Sequence, residues 1–168
     1  IALEMKNFTD FLKTLPFEYL PDVKRDAVCL TNDMEIAQSA FIIARQANIN
    51  LRFAASQLQT IPEADFYMLP SVKAKGALST QCWEELKKRV RNGASLYLSL
   101  NDCYLTDIEE VCGVSVLTRR VQPGTREYDF GGHVMSLPQD ILRTLKVAGA
   151  EVLAKDTDGN PCLCRHNY

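Results

Sequence analysis

Long apolar runs are missing from this 168-residue sequence. The apolar stretches, such as Ala40 to Ala44, end after a few residues, where about 20 in succession would be needed to cross a bilayer, so no transmembrane helix or membrane partner is expected. An excess of one charge is missing too: 19 basic side chains face 21 acidic ones, which argues against a nucleic-acid binder. There is no Cys-x-x-Cys pair to anchor a metal and no Gly-rich phosphate loop. Thr31-Asn32-Asp33 stand after the first strand-like run, so no nucleotide motif matches and no cofactor is expected. The opening at Ile1 carries neither a basic segment nor a long apolar core, so no signal peptide is read and a cytoplasmic placement is expected.

What is there is the composition of a globular domain, with 46% hydrophobic and 24% charged residues. A compact chain of this mass exposes about 8,000 Å² of the roughly 27,000 Å² it exposes when extended, enough burial for one core. The six cysteines lie among patterned apolar segments and read as reduced, mostly buried thiols.

The pattern begins with a helix carrying Phe8, Phe11, Leu12 and Leu15 on one face and stopping at Pro16, so residues 1–22 read as a lead-in helix and linker before a domain over 23–168. Ala27 to Thr31 reads as a strand, and Ile36, Ala37, Ala40, Phe41, Ile43, Ala44 and Ala47 recur at helical spacing. Leu51 to Ala55 and Phe66 to Leu69 read as further strands, the latter closed by Pro70. Ser79 or Thr80 caps a helix with Trp83, Leu86 and Val90 inward and Lys87, Lys88, Arg89 and Arg91 late, where positive charge offsets the helix dipole on a solvated face. Ser95 to Leu100 is the next strand, Thr106 with Glu109 forms a capping box for a short helix ending at Gly113, and Val114 to Leu117 is β-rich. Gln122-Pro123-Gly124 reads as a turn, Glu127 to Met135 as extended, Pro138 to Gly149 as a helix, and Glu151 to Lys155 with Cys162 to His166 as a terminal hairpin. This alternation predicts an α/β, flavodoxin-like, doubly wound domain: a mostly parallel sheet with helices on both faces and a C-terminal β-hairpin.

The run Ala64-Asp65-Phe66-Tyr67-Met68-Leu69-Pro70-Ser71, the capped helix after it, Arg91 to Ser99, and the tail from Gly149 to Ala154 through Asp158-Gly159-Asn160-Pro161 to Arg165-His166-Asn167-Tyr168 together resemble a known domain. It is the class I glutamine amidotransferase-like domain that follows the TIM barrel in bacterial β-galactosidases and β-mannanase-like glycoside hydrolases. The resemblance covers roughly Asp26 to Tyr168. It implies an excised, non-catalytic accessory domain that packs on the catalytic barrel of the same polypeptide and supports homo-oligomer assembly, the hydrolytic carboxylates belonging to the barrel.

Three sharper readings stand beside it. An active amidotransferase or hydrolase would use Cys103 as nucleophile, but Asn101, Asp102, Tyr104 and Leu105 flank it without the glycines of a nucleophile elbow. Neither His133 nor His166 is followed two residues on by an acid. Cys162, Cys164 and His166 alternate on one strand face, yet alternate side chains stand about 7 Å apart, too far for a compact zinc site, so no metal is expected. A carbohydrate-binding module is the main alternative: the carboxyl edge of the strands would carry Asn32, Asp33, Ser71, Asn101 and Asp102, short polar residues suited to hydroxyl-rich ligands.

Overall fold

The computed structural model describes residues 2–14, 27–74 and 78–168. Leu15, the stop at Pro16 and the expected domain boundary at 22/23 lie outside the described residues. Helix α1 spans Ala2–Lys13, and its Leu3, Met5, Phe8 and Phe11 are all exposed. Of the stripe read from the sequence, Phe8 and Phe11 are exposed and Leu12 is half-buried.

Four short strands, β1 (Ala27–Leu30), β2 (Leu51–Ala54), β3 (Phe66–Val72) and β4 (Ser95–Leu100), pair in parallel in the order β2-β1-β3-β4. Alternation along each strand sends successive side chains to opposite faces. Val28, Leu30, Tyr67 and Leu69 pack with Trp83 and Leu86 of α3 (Thr80–Arg91), while Cys29 and Met68 pack with Ala40 of α2 (Met34–Gln46). Each fully buried side chain of the Leu69 or Leu86 kind contributes about 2 kcal/mol of transfer free energy. Ser79 caps α3 through its hydroxyl, which accepts from the Cys82 amide at 3.1 Å. β3 runs on through Pro70 to Val72, because Pro70 sits where the β3–β4 register shifts, between Leu69 and Val72, and a proline is tolerated there.

Beyond β4 the expected architecture is overturned. A five-residue helix α4 (Ile108–Cys112) leads into β5 (Val114–Asp129), β6 (Val134–Val147), β7 (Glu151–Asp156) and β8 (Pro161–Arg165), which form a separate antiparallel sheet of order β6-β5-β7-β8. The chain is thus not a mostly parallel doubly wound fold: four strands are parallel and four antiparallel among the described residues. The helix expected from Pro138 to Gly149 is strand β6, paired with β5 from Val114↔Val147 to Asp129↔Val134. Ile141, Leu142 and Leu145 fit a helical face, but cross-strand pairing along the whole segment overrides that local pattern. Pro138 is accommodated because β6 is an edge strand, and Gln122-Pro123 is no turn but the bulge between Val121 and Gly124. The turn is made instead by Gly131 and Gly132, both with positive φ.

The capping box expected at Thr106 and Glu109 is absent as well. Asp107 occupies the cap position in left-handed geometry and makes no capping bond, since its carboxylate receives Lys87 Nζ at 2.6 Å. Lys87, expected on a solvated face, is buried between Asp107 and Glu84, and these partners hold its ammonium above the usual lysine range. No helix of the described residues is long and apolar enough to cross a membrane.

Helix α4 joins the antiparallel sheet at Gly113. The Gly113 amide donates to the Glu109 carbonyl, and its own carbonyl accepts from Ala148 and Ala150 at 2.7 and 3.2 Å. At φ +64 a Cβ here would lie 2.7 Å from His166 Nδ1 and 2.8 Å from the Ala150 nitrogen. Gly113→Ala is expected to lower unfolding stability by about 2 kcal/mol or more in a urea titration, through strain and close approach. Gly124→Ala, outside the left-handed region and with nothing within 4 Å of a Cβ, is expected to change it by no more than about 0.5 kcal/mol. Equal losses at both positions would remove the close approach as the cause.

Candidate functional site

Parallel sheets present the carboxyl ends of their strands, with the following helix N-termini, at one edge. Here β1 ends at Leu30, and Thr31 accepts the Asp33 amide on its hydroxyl at 3.1 Å, turning the chain into α2. Asp33 caps that helix, its Oδ1 accepting from Glu35 and Ile36 at 3.0 and 3.2 Å, while Oδ2 receives Lys73 Nζ at 2.8 Å. The Lys73 hydrogen bond, then the Ile36 amide, hold the Asp33 carboxyl below its usual range, and the same bond raises Lys73.

On the neighbouring strand Ser71 adopts φ +52, a left-handed conformation that costs a non-glycine residue about 1 kcal/mol or more. Two bonds hold it there: its amide donates to Ser99 Oγ at 2.7 Å, and its Oγ accepts from Asn101 Nδ2 at 3.2 Å. Asn101 is itself held from the other sheet, because Arg143 of β6 donates to the carbonyls of Leu100 and Asn101. Desolvation, first among the causes, lowers the Arg143 pKa from its usual range, and its ring neighbour Tyr104 lies 6.0 Å away.

These residues border a cavity of about 700 Å³ lined by Thr31, Asn32, Asp33, Gln57, Ser71 and Lys73 among others. Of the five positions expected at the strand edge, Asn32, Asp33 and Ser71 line it. Asn101 reaches it only through Ser71, and Asp102 turns away to accept the Ala74 amide at 2.6 Å. Sequence reasoning missed Lys73, Gln57 and Arg143. Lys73 had one readable signal, a basic residue just past the strand that adjoins a helix-capping Asp; Arg143 had none, since its segment read as helix.

Cys103 does not sit on an exposed elbow. It is buried, its Sγ donates to the Val72 carbonyl at 3.3 Å, and burial, with the Asp102 charge behind it, raises its thiol pKa. His133 lies at the tip of the β5–β6 hairpin, ten residues before Arg143 on extended chain and so on the order of 30 Å from it. His166 packs against Gly113. Cys162 is exposed, Cys164 pairs with Val152, and no group of His, Cys, Asp and Glu among the described residues is arranged to hold a metal ion.

No protein-family model matches the chain, and no curated protein matches it. Among solved structures it is similar to an exo-β-1,4-mannosidase from Opitutaceae bacterium strain TAV5, with a TM-score of 0.70 at 13% identity over 96% of this chain. The chain spans only 32% of the length of that mannosidase. At this identity the likeness is one of fold.

Burial pushes the thiols of Cys29, Cys82 and Cys112 up to about 11 and raises Cys103. An unfolded thiol ionises near 8.5. Above that pH the unfolded chain has shed protons the folded chain still holds, so stability falls as pH rises from about 8.5 toward 11. The thermal midpoint is expected to drop over this window, and iodoacetamide is expected to label Cys103 only on unfolding. Rapid labelling of the folded chain near pH 7 would reinstate Cys103 as a nucleophile.

Proposed function

We propose that this chain is a non-catalytic, amidotransferase-like accessory domain of a glycoside hydrolase of the β-galactosidase or β-mannosidase kind, seated against the catalytic barrel and supporting oligomer assembly. The observation that carries the reading is surface left uncovered. Large apolar side chains stand exposed on three elements: Phe8 and Phe11 on α1, Phe41 and Ile42 on α2, and Leu117, Val121 and Val134 on the β5–β6 ribbon. β5 meets β7 only at Tyr128 and Asp129, so over most of its length the ribbon is two-stranded, and such a ribbon has marginal stability in water without something to pack on. Contiguous exposed apolar surface marks an interface.

The fold likeness to part of a mannosidase chain supports the same reading, the rest of such an enzyme supplying the partner. Chemistry would then reside in a carboxylate pair on the barrel. This chain would contribute apolar contact area that orders the barrel and brings protomers together.

The test has two parts. Purified chain is expected to turn over no aryl β-mannoside, aryl β-galactoside, glutamine or ester; turnover abolished by Cys103→Ala would overturn the reading. Phe8→Ser with Phe11→Ser is expected to change the stability of this chain by less than about 0.5 kcal/mol, since both side chains are already exposed. In an enzyme that contains the domain together with its barrel, the same pair is expected to loosen assembly, seen as dissociation in sedimentation velocity. Unchanged assembly there would remove α1 from the interface.

A further inference from the structure

The strand order β2-β1-β3-β4 contains a reversal: β1 leads through α2 to β2 on one side, and β3 leads through α3 to β4 on the other. Crevices at such a reversal, outside the carboxyl ends of the strands, are where open parallel sheets hold ligands. The cavity of about 700 Å³ opens at this point, within the size range of small-molecule sites. It adjoins a second cavity of about 540 Å³, and Glu35, Ile36, Pro70 and Ser71 line both, so the two form one trough along the length of α2.

The ends of the trough differ in chemistry. One end carries Asn32, Gln57, Ser71 and Lys73. The Asn32 and Gln57 side chains are exposed and make no hydrogen bond to other described residues, leaving two amides that both donate and accept. Ser71 Oγ accepts from Asn101, which leaves its hydroxyl proton to donate outward. The other end is apolar, with Phe66, Met68 and a half-exposed Tyr97 on its floor. Charge selects further. Lys73 is neutralised by Asp33, and Glu35 adds a carboxylate, so the trough has no surplus positive charge to attract a phosphate or carboxylate ligand.

We infer that this trough binds a neutral, hydroxyl-rich ligand of one or two sugar rings. Its hydroxyls hydrogen-bond Asn32, Gln57, Ser71 and Lys73, and a C–H face lies on the Tyr97 side. Paired donors and acceptors suit hydroxyl groups, which do both, and an aromatic wall suits the apolar face of a pyranose. The inference goes beyond the accessory role and does not depend on it, because the trough lies within this chain.

The test is a titration of the full chain with mannobiose and with lactose, followed by amide chemical shifts, with inorganic phosphate as the anion control. Saturable shifts at Asn32, Ser71, Lys73 and Tyr97 are expected for at least one disaccharide, with Kd at or below about 10 mM. Asn32→Ala with Gln57→Ala is expected to weaken that binding about fivefold or more while leaving the rest of the spectrum in place, since neither side chain bonds within the described fold. Tyr97→Ser tests the apolar end independently and is expected to weaken binding as well. Absence of saturable shifts with both sugars, shifts confined to other surfaces, competition by phosphate, or unchanged affinity in the double variant would each overturn the inference. Sugar binding is read on this chain alone and association on the barrel-containing enzyme, so failure of one proposal is distinguishable from failure of the other.

Discussion

The guanidinium of Arg143 ties the two halves of the molecule together. It leaves the edge strand of the antiparallel sheet and donates to the carbonyls of Leu100 and Asn101, where the last parallel strand ends. Leu100 pairs with Val72 at the end of the parallel ladder and Asn101 lies just past it; the guanidinium, partly desolvated, finds two acceptors there, while its Nε is buried without a partner among the described residues. The two bonds link β6 to the end of β4. The bond also acts at a distance: Asn101, held by its carbonyl, uses its amide to hold Ser71, and Ser71 keeps a left-handed backbone at the lip of the trough. Gly113, between α4 and β5, sits against Ala150 and His166 by a close approach that only a residue without a Cβ permits.

Cover is distributed unevenly around this join. The α3 face of the parallel sheet is sealed by Trp83 and Leu86, with Lys87 buried between two carboxylates at its margin. The opposite face has a much smaller buried cluster around Ala40, and beside it the apolar end of the trough remains open. The hydrophobic effect leaves such surface exposed only where something else covers it or where a ligand enters. The exposed apolar side chains of α1, of Phe41 and Ile42 on α2 and of the ribbon lie outside the trough, whose lining is mixed in polarity. The proposed assembly role and the proposed binding role therefore use different residues.

Local signals governed the first half of the chain. Continuous apolar runs at Ala27 to Leu30 and Phe66 to Leu69, too short for helices, read as buried strands, and Ser79 announces a helix start through its capping oxygen. The same logic placed Asn32, Asp33 and Ser71 at the strand edge, because residues that follow a parallel strand gather there whatever their identity. Legibility failed where partners distant in sequence decided the outcome. Lys87 read as a solvated end of a basic helix, since nothing local tells that Asp107 will reach it. The capping box of Thr106 with Glu109 failed for the same reason, Asp107 standing at the cap position with its carboxylate on Lys87.

The amino-acid sequence by itself determined the order of strands and helices between Ala27 and Leu100, the burial of thiols such as Cys29 and Cys82, and the polar character of the strand edge. Each of these follows from apolar periodicity, capping chemistry and composition within a few residues. Tertiary structure alone decided that Pro138 to Val147 is a strand, that the molecule holds two sheets in place of one, and that Arg143 reaches back to order the edge of the other. The physical reason is that a segment whose helical and extended patterns are nearly balanced takes the conformation its partner strand can hydrogen-bond. For β6 that partner is β5, which neither periodicity nor propensity within the segment can announce.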